Sequence, residues 1–130
     1  MARPRRTGRP KLLTDVELEL MSALWQLEEA TVRDVMTELP KSRKLAYTSV
    51  STIMRILEGK RLVKSRKLGR AHVYRPAISK SEYESRSLRD LVAKVFDGAP
   101  SAMVMRLLDD EGLSAEDLRG IQRMLREKLR

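Results

Sequence analysis

Five side chains near the middle of the chain, Tyr47, Thr48, Ser51, Thr52 and Arg55, are of the types that read nucleic-acid bases. Serine and threonine hydroxyls donate or accept at base edges, and a guanidinium makes paired bonds to guanine in a major groove. They come together only if the stretch is helical. Within 46–59, AYTSVSTIMRILEG, Val50, Ile53, Met54 and Leu57 fall at i, i+3, i+4 and i+7, one face of a helix. The far side then carries Thr48, Thr52, Arg55 and Gly59, with Ser49 and Ser51 flanking and Tyr47 at the mouth. That side meets no carboxylate until Glu58, so it suits a groove walled by phosphates. Two blander uses remain open. The face can be merely solvated, and Thr48 and Ser49 can serve as helix caps. Ile56 points partly outward and has no task in any of these readings.

A second set of residues can hold phosphates. Lys41, Arg43 and Lys44 precede the central helix, and Arg66, Lys67 and Arg70 follow it in a stretch without acidic residues, 62–75. The net charge of +9 is unevenly placed: residues 1–13 carry +5, residues 14–78 carry +4, and residues 79–130 carry ten charges of each sign. A polyanion-binding part and a neutral part with another task follow from that split. The first eleven residues, MARPRRTGRPK, have little to bury and are expected to be disordered in isolation. Gly8-Arg9-Pro10 resembles the core of an AT-hook, and a solvated basic arm attracting phosphates nonspecifically explains it as well.

Other chemistries lack their residues. The chain has no cysteine and one histidine, so thiolate zinc sites, disulfides and histidine-rich metal sites are excluded, and no cofactor is expected. His72, in a basic stretch, reads as a surface or partly packed residue. Asp109-Asp110 and Glu116-Asp117 are better explained as helix-end residues than as catalytic carboxylates, and no glycine-rich phosphate loop is present. The protein is not expected to be an enzyme. No apolar run approaches the ~20 residues of a membrane span, and the basic N-terminus lacks a signal-type apolar core. A cytoplasmic protein without membrane insertion is expected.

The elements that must position these residues are legible in order. Thr14 and Glu17 make a capping box ahead of a helix carrying Leu18, Met21 and Trp25 on one face, with Leu20, Leu24 and Leu27 beside it. Trp25 reads as a core anchor. Thr31 caps a short second helix with Val32, Val35, Met36 and Leu39, which Pro40 stops. The central helix starts between Ala46 and Thr48 and ends near Gly59, in its last turn or at its C-cap. LVKSRK and AHVYR then alternate as strands around Leu68-Gly69-Arg70, and Pro76 closes the hairpin. Three helices followed by a basic hairpin is the order of a winged helix-turn-helix, in which the third helix enters the groove and the wing lies over the backbone.

The neutral third predicts three amphipathic helices. Ser79, with Glu82, caps the first, whose stripe is Leu88, Leu91, Val92, Val95 and Phe96, broken by Gly98 and Pro100. Ser101 opens a short helix with Met103, Val104, Leu107 and Leu108, ending at Gly112. Ser114 opens the last, with Leu118, Ile121, Leu125 and Leu129. About fifty residues are too few to bury three stripes well. The stripes either fold back on the winged part or interlock with a second copy, and neutral charge favours the second copy.

Residues 14–130 resemble the penicillinase repressor family (BlaI/MecI/CopY). The resemblance is carried by LTDVELELMSALWQLEEATVRDVM, TSVSTIMRILEGKRLV, LGRAHVYRPAISKSEY and LLDDEGLSAEDLRGIQRML, in that order and with similar spacing. It implies a homodimeric repressor bound to a dyad-symmetric operator of β-lactamase or related stress-response genes. In the penicillinase branch a membrane sensor protease leads to cleavage within the dimerisation region. The Asn-Phe pair cut there aligns with Arg106-Leu107, a departure in residue type on both sides of the bond. The copper-responsive branch senses metal through cysteine pairs, which this chain lacks. The expected fold class is mainly α with a small β-hairpin wing: a basic arm at 1–13, a winged helix domain at 14–78 and a helical dimerisation domain at 79–130. A protein that coats nucleic acid without sequence preference is the alternative, and it predicts equal affinity for scrambled duplex.

Overall fold

The computed structural model describes residues 12–130. The arm's basic stretch 1–11, with its Gly8-Arg9-Pro10 motif, lies outside the described residues.

Helix α1 (Asp15–Leu27) begins where the sequence offers reciprocal caps. The Thr14 hydroxyl accepts from the Glu17 N–H at 3.2 Å, and the Glu17 carboxylate accepts from the Thr14 N–H at 2.9 Å. Leu20, Met21 and Leu24 are fully buried, while Leu18 remains at the surface. Helix α2 (Val32–Glu38) repeats the device with Thr31 and Asp34 and stops ahead of Pro40. Helix α3 (Tyr47–Gly59) has Ala46 as its N-cap and no side-chain cap bond, so Thr48 and Ser49 are not caps. Its inner face, Val50, Met54 and Leu57, is fully buried, and Ile53 packs against the same cluster.

Strands β1 (Val63–Leu68) and β2 (Ala71–Pro76) pair antiparallel, with Gly69 at φ 65° in the turn, a conformation that favours glycine. The wing is tied to the α1–α2 connection. Ala30 and Tyr74 exchange N–H···O bonds of 2.9 and 2.8 Å. Leu62, Val63, Tyr74 and Ile78 complete the core under α3.

The end of α3 falls in the expected place, with Gly59 in the last turn. Gly59 is the last helical residue, Lys60 is the C-cap, and Arg61 adopts φ 64°. The Leu62 N–H bonds to the Leu57 carbonyl at 3.0 Å and the Arg61 N–H to the Glu58 carbonyl at 2.9 Å, the paired bonds of a Schellman end. A non-glycine residue thus occupies the left-handed position, although Gly59 stands two residues away. A Cβ on Gly59 would meet nothing within 4 Å, so packing does not require glycine there. Arg61→Gly is expected to stabilise the fold by about 1 kcal/mol, read as a raised urea midpoint with unchanged slope.

An ion pair ties the two ends of the helical layer together. The Lys60 ammonium lies 2.6 Å from Glu17, a residue with 6% of its surface exposed. Burial pushes the Glu17 carboxyl pKa up, but Lys60 and the bonds with Thr14 outweigh it and hold the group below its ordinary value. A carboxyl depressed in the fold stabilises above its unfolded pKa, and that contribution disappears as pH falls through the folded value. Glu17→Gln is expected to cost about 1–3 kcal/mol at neutral pH. It should also flatten the loss of stability in the acid range, as followed by urea unfolding at a series of pH values.

The described residues divide into two compact units, 12–85 and 86–130, with the division inside α4 (Lys80–Val95). The first turns of α4 belong to the first unit. The Leu13 N–H donates to the Tyr83 hydroxyl at 3.1 Å, the Tyr83 ring lies 5.7 Å from that of Trp25, and the Trp25 indole N–H donates to the Ile78 carbonyl at 2.9 Å. Ser79 caps α4 by accepting from the Glu82 N–H at 3.0 Å.

In the second unit α5 (Pro100–Asp109) starts one residue before the expected Ser101, with Ala99 as N-cap. Proline at the first helical position has φ already set and no N–H left to satisfy, which explains the earlier start. The helix also stops at Asp109, short of Gly112. Helix α6 (Ala115–Lys128) opens on a Ser114–Asp117 capping box. No residue of 86–130 is buried. Among the described residues no helix is long and apolar enough to cross a membrane.

Candidate nucleic-acid interface

The outward face of α3 gathers Thr48, Thr52 and Arg55, all exposed, with Tyr47 at 46% exposure on the first turn. Ser51 is half-buried on the flank nearer the wing. The one carboxylate of α3, Glu58, is turned into the wing, where the Ser65 hydroxyl donates to it at 2.5 Å. Its charge is thereby held off the outward face. Beside it the Tyr74 phenol is pushed up by burial and further by Glu58, against a smaller opposing effect of Arg55, so it stays neutral.

The expected phosphate-holding residues fall into two groups. Lys41, Lys44, Lys67 and Arg70 are exposed, and none of them is ion-paired among the described residues. Arg43 is half-buried with its Nε 3.0 Å from Glu19 of α1, close but not aligned as a hydrogen bond. Arg66 pairs with Glu29 at 2.7 Å. The strand register separates the wing's cations further. Lys67 stands opposite His72, on the face that Val63 and Tyr74 present to the core, whereas Lys64 and Arg66 stand opposite Arg75 and Val73 on the other face. Arg66 and Lys67 therefore cannot hold the same phosphate from one side of the hairpin.

One residue was missed. The Arg33 guanidinium of α2 lies 5.1 Å over the Tyr47 ring, a cation–π contact that fixes the phenol at the edge of the α3 face. The only signal for it in the sequence is an arginine on the polar side of a short bracing helix. Among the described residues no three histidine, aspartate or glutamate side chains converge as metal ligands would.

The expected dimerisation residues lie on the second unit. Leu88, Leu91, Val95, Val104, Leu107, Leu108, Leu118 and Leu125 are exposed, and Val92, Phe96 and Ile121 are half-buried. Arg106 and Leu107 are exposed but sit inside α5, so a protease arriving there meets helical backbone and not an extended strand.

The profile of the penicillinase repressor family matches residues 13–127. The chain belongs to the penicillinase repressor family. It is 27% identical to the penicillinase repressor of Bacillus licheniformis over 115 residues, covering 88% of this chain and 90% of that protein. It is 33% identical to the transcriptional regulator BlaI of Mycobacterium tuberculosis over 117 residues, 88% of this chain and 83% of that one. Family members align across both units, not the winged part alone. Among solved structures, the DNA-binding domain of the repressor BlaI matches with a TM-score of 0.51 and 29% identity, covering 58% of this chain and 92% of that domain. The winged helix-turn-helix is therefore the fold of the first unit, mainly helical with a two-stranded wing.

Proposed function

We infer that the protein is a sequence-specific transcriptional repressor that binds a dyad-symmetric DNA operator as a homodimer. The observation that carries the reading is the outward face of α3: hydroxyls and one guanidinium, its only carboxylate turned away, with exposed cations before and after it in the chain. Thr48, Thr52 and Arg55 read bases, with Ser51 and Tyr47 at the edges of the contact. Lys41, Lys44, Lys67 and Arg70 hold phosphates directly. Arg43 and Arg66 must first leave or share Glu19 and Glu29. The apolar stripes of 86–130 join two copies, so the second half-site contact becomes intramolecular. Such a protein works in the cytoplasm beside the DNA, and nothing in its chemistry calls for catalysis. The family likeness favours genes of β-lactamase or related stress responses. It also favours release by a membrane sensor protease, which would have to unwind α5 before cutting at Arg106–Leu107.

The rival is a coating protein, favoured by the basic arm alone. Competition binding separates the two. A duplex enriched from a randomised pool is expected to bind at least about 10³-fold more tightly than its scrambled counterpart. Equal affinity for both overturns the repressor. Arg55→Ala is expected to cost about 1–3 kcal/mol on the enriched duplex and to relax preference at one base pair. An equal loss on every sequence would make Arg55 a phosphate clamp.

A further inference from the structure

Ile56 is left without a task by everything above. It is 46% exposed and stands outside the core cluster, whereas Ile53 of the same helix packs against that cluster. A single exposed isoleucine is ordinary on a protein surface. Its position is what matters. Ile56 follows Thr52 by four residues and Thr48 by eight, so the three form one row along the outward face of α3. Ser49, exposed and not used as a cap, lies beside the row. Arg55 lies on the opposite flank of the row, and Glu58 is bound to Ser65. No charge therefore has to be desolvated to bring Ile56 against a base.

In a major groove a branched aliphatic side chain has one good partner. The other edges of all four base pairs present donors and acceptors, and only the 5-methyl group of thymine is apolar. Against a phosphate, Ile56 would strip water and return nothing. We propose that Ile56, in one row with Thr48 and Thr52, is a specificity residue that packs on the 5-methyl group of a thymine in each half-site. Four helical residues span about 6 Å, and stacked bases are about 3.4 Å apart. The thymine thus lies within about two base pairs of the one Thr52 meets. The inference rests on the reading of α3 as the groove helix.

The test uses the full-length protein and a duplex enriched from a randomised pool. Each thymine is replaced in turn, in both half-sites, by deoxyuridine, which exchanges the methyl group for hydrogen and leaves pairing intact. Affinity is read by fluorescence anisotropy for the wild type and for Ile56→Ala. That variant keeps the core and has a better helix former at an exposed position. The wild type is expected to lose about fourfold per half-site at one symmetry-related thymine, the worth of one methyl group withdrawn from water. Ile56→Ala is expected to lose sensitivity at that thymine alone and to keep it elsewhere. An unchanged deoxyuridine profile in Ile56→Ala overturns the inference, as does a wild-type profile with no sensitive thymine. If the enriched duplex still beats its scrambled form and Arg55→Ala still relaxes one base pair, the groove reading survives that failure. If no duplex is enriched, both fall.

Discussion

Leu88→Asp with Leu125→Asp is expected to turn a dimer into a monomer and to weaken operator binding by about 10²–10⁴-fold, with half-site binding unchanged. The apolar surface left over lies mostly in the second unit. Eleven of the sixteen large apolar side chains exposed among the described residues belong to 86–130, and that unit buries no residue at all. Its helices are locally well specified, by Pro100 at the head of α5 and the Ser114–Asp117 box of α6. Yet a helix gains most of its stability from packing an amphipathic face, not from its caps. The near balance of charge, ten acidic and ten basic residues over 79–130, lets a second copy approach without net repulsion. Leu88 and Leu125 are 50% and 57% exposed, so aspartate costs little within one chain and much in a dry interface. Sedimentation velocity reads the assembly, and binding to duplexes with one and two half-sites reads the coupling. Trp25, the single tryptophan, packs in the first unit and reports by fluorescence that the winged fold persists. A wild type that sediments as a monomer at micromolar concentration, or a double variant that still dimerises, sinks this account of 86–130.

What the sequence disclosed was whatever is written within a few residues. The Thr14–Glu17 box and the Thr31 and Ser79 caps are i, i+3 devices, and the structure has the hydroxyl bond of all three. The inner face of α3 follows from the spacing of Val50, Met54 and Leu57, and the hairpin turn from Gly69. Local rules misled where two of them competed. Serine is a favoured cap, but proline already shaped for the first helical position took α5 one residue earlier. Gly59 stands in the last turn of α3, one of its two expected places, and the Leu62–Leu57 bond sets the left-handed turn at Arg61.

The features invisible in the sequence are pairs between distant positions. Glu17–Lys60 spans 43 residues and Glu29–Arg66 spans 37, so no periodicity announces them. The same holds for Arg33 over Tyr47, which needs α2 and α3 side by side before it exists. These pairs matter for function because they rank cations that look equivalent in the sequence. Arg66 and Lys67 are neighbours in the chain. One is neutralised by Glu29 and the other is exposed on the opposite face of the hairpin.

That ranking sets the expected salt dependence. The four expected phosphate-holding cations that are exposed and unpaired among the described residues, Lys41, Lys44, Lys67 and Arg70, become eight in a dimer. Each phosphate neutralised contributes a slope of about −0.9 in log K against log salt, so a slope of about −7 or steeper is expected. Between 50 and 200 mM salt, operator affinity should then fall by roughly 10⁴-fold. Single substitutions separate the two groups. Lys67→Ala or Arg70→Ala removes two phosphate contacts from the dimer and should make the slope shallower by about 2. Arg66→Ala should change it far less, because in the free protein that charge is already matched by Glu29 at 2.7 Å. If Arg66→Ala shifts the slope as much as Lys67→Ala does, the Glu29 pair opens on DNA and the wing rearranges on binding. If the wild-type slope lies near zero, these cations face away from the duplex, and α3 is not the helix that enters it.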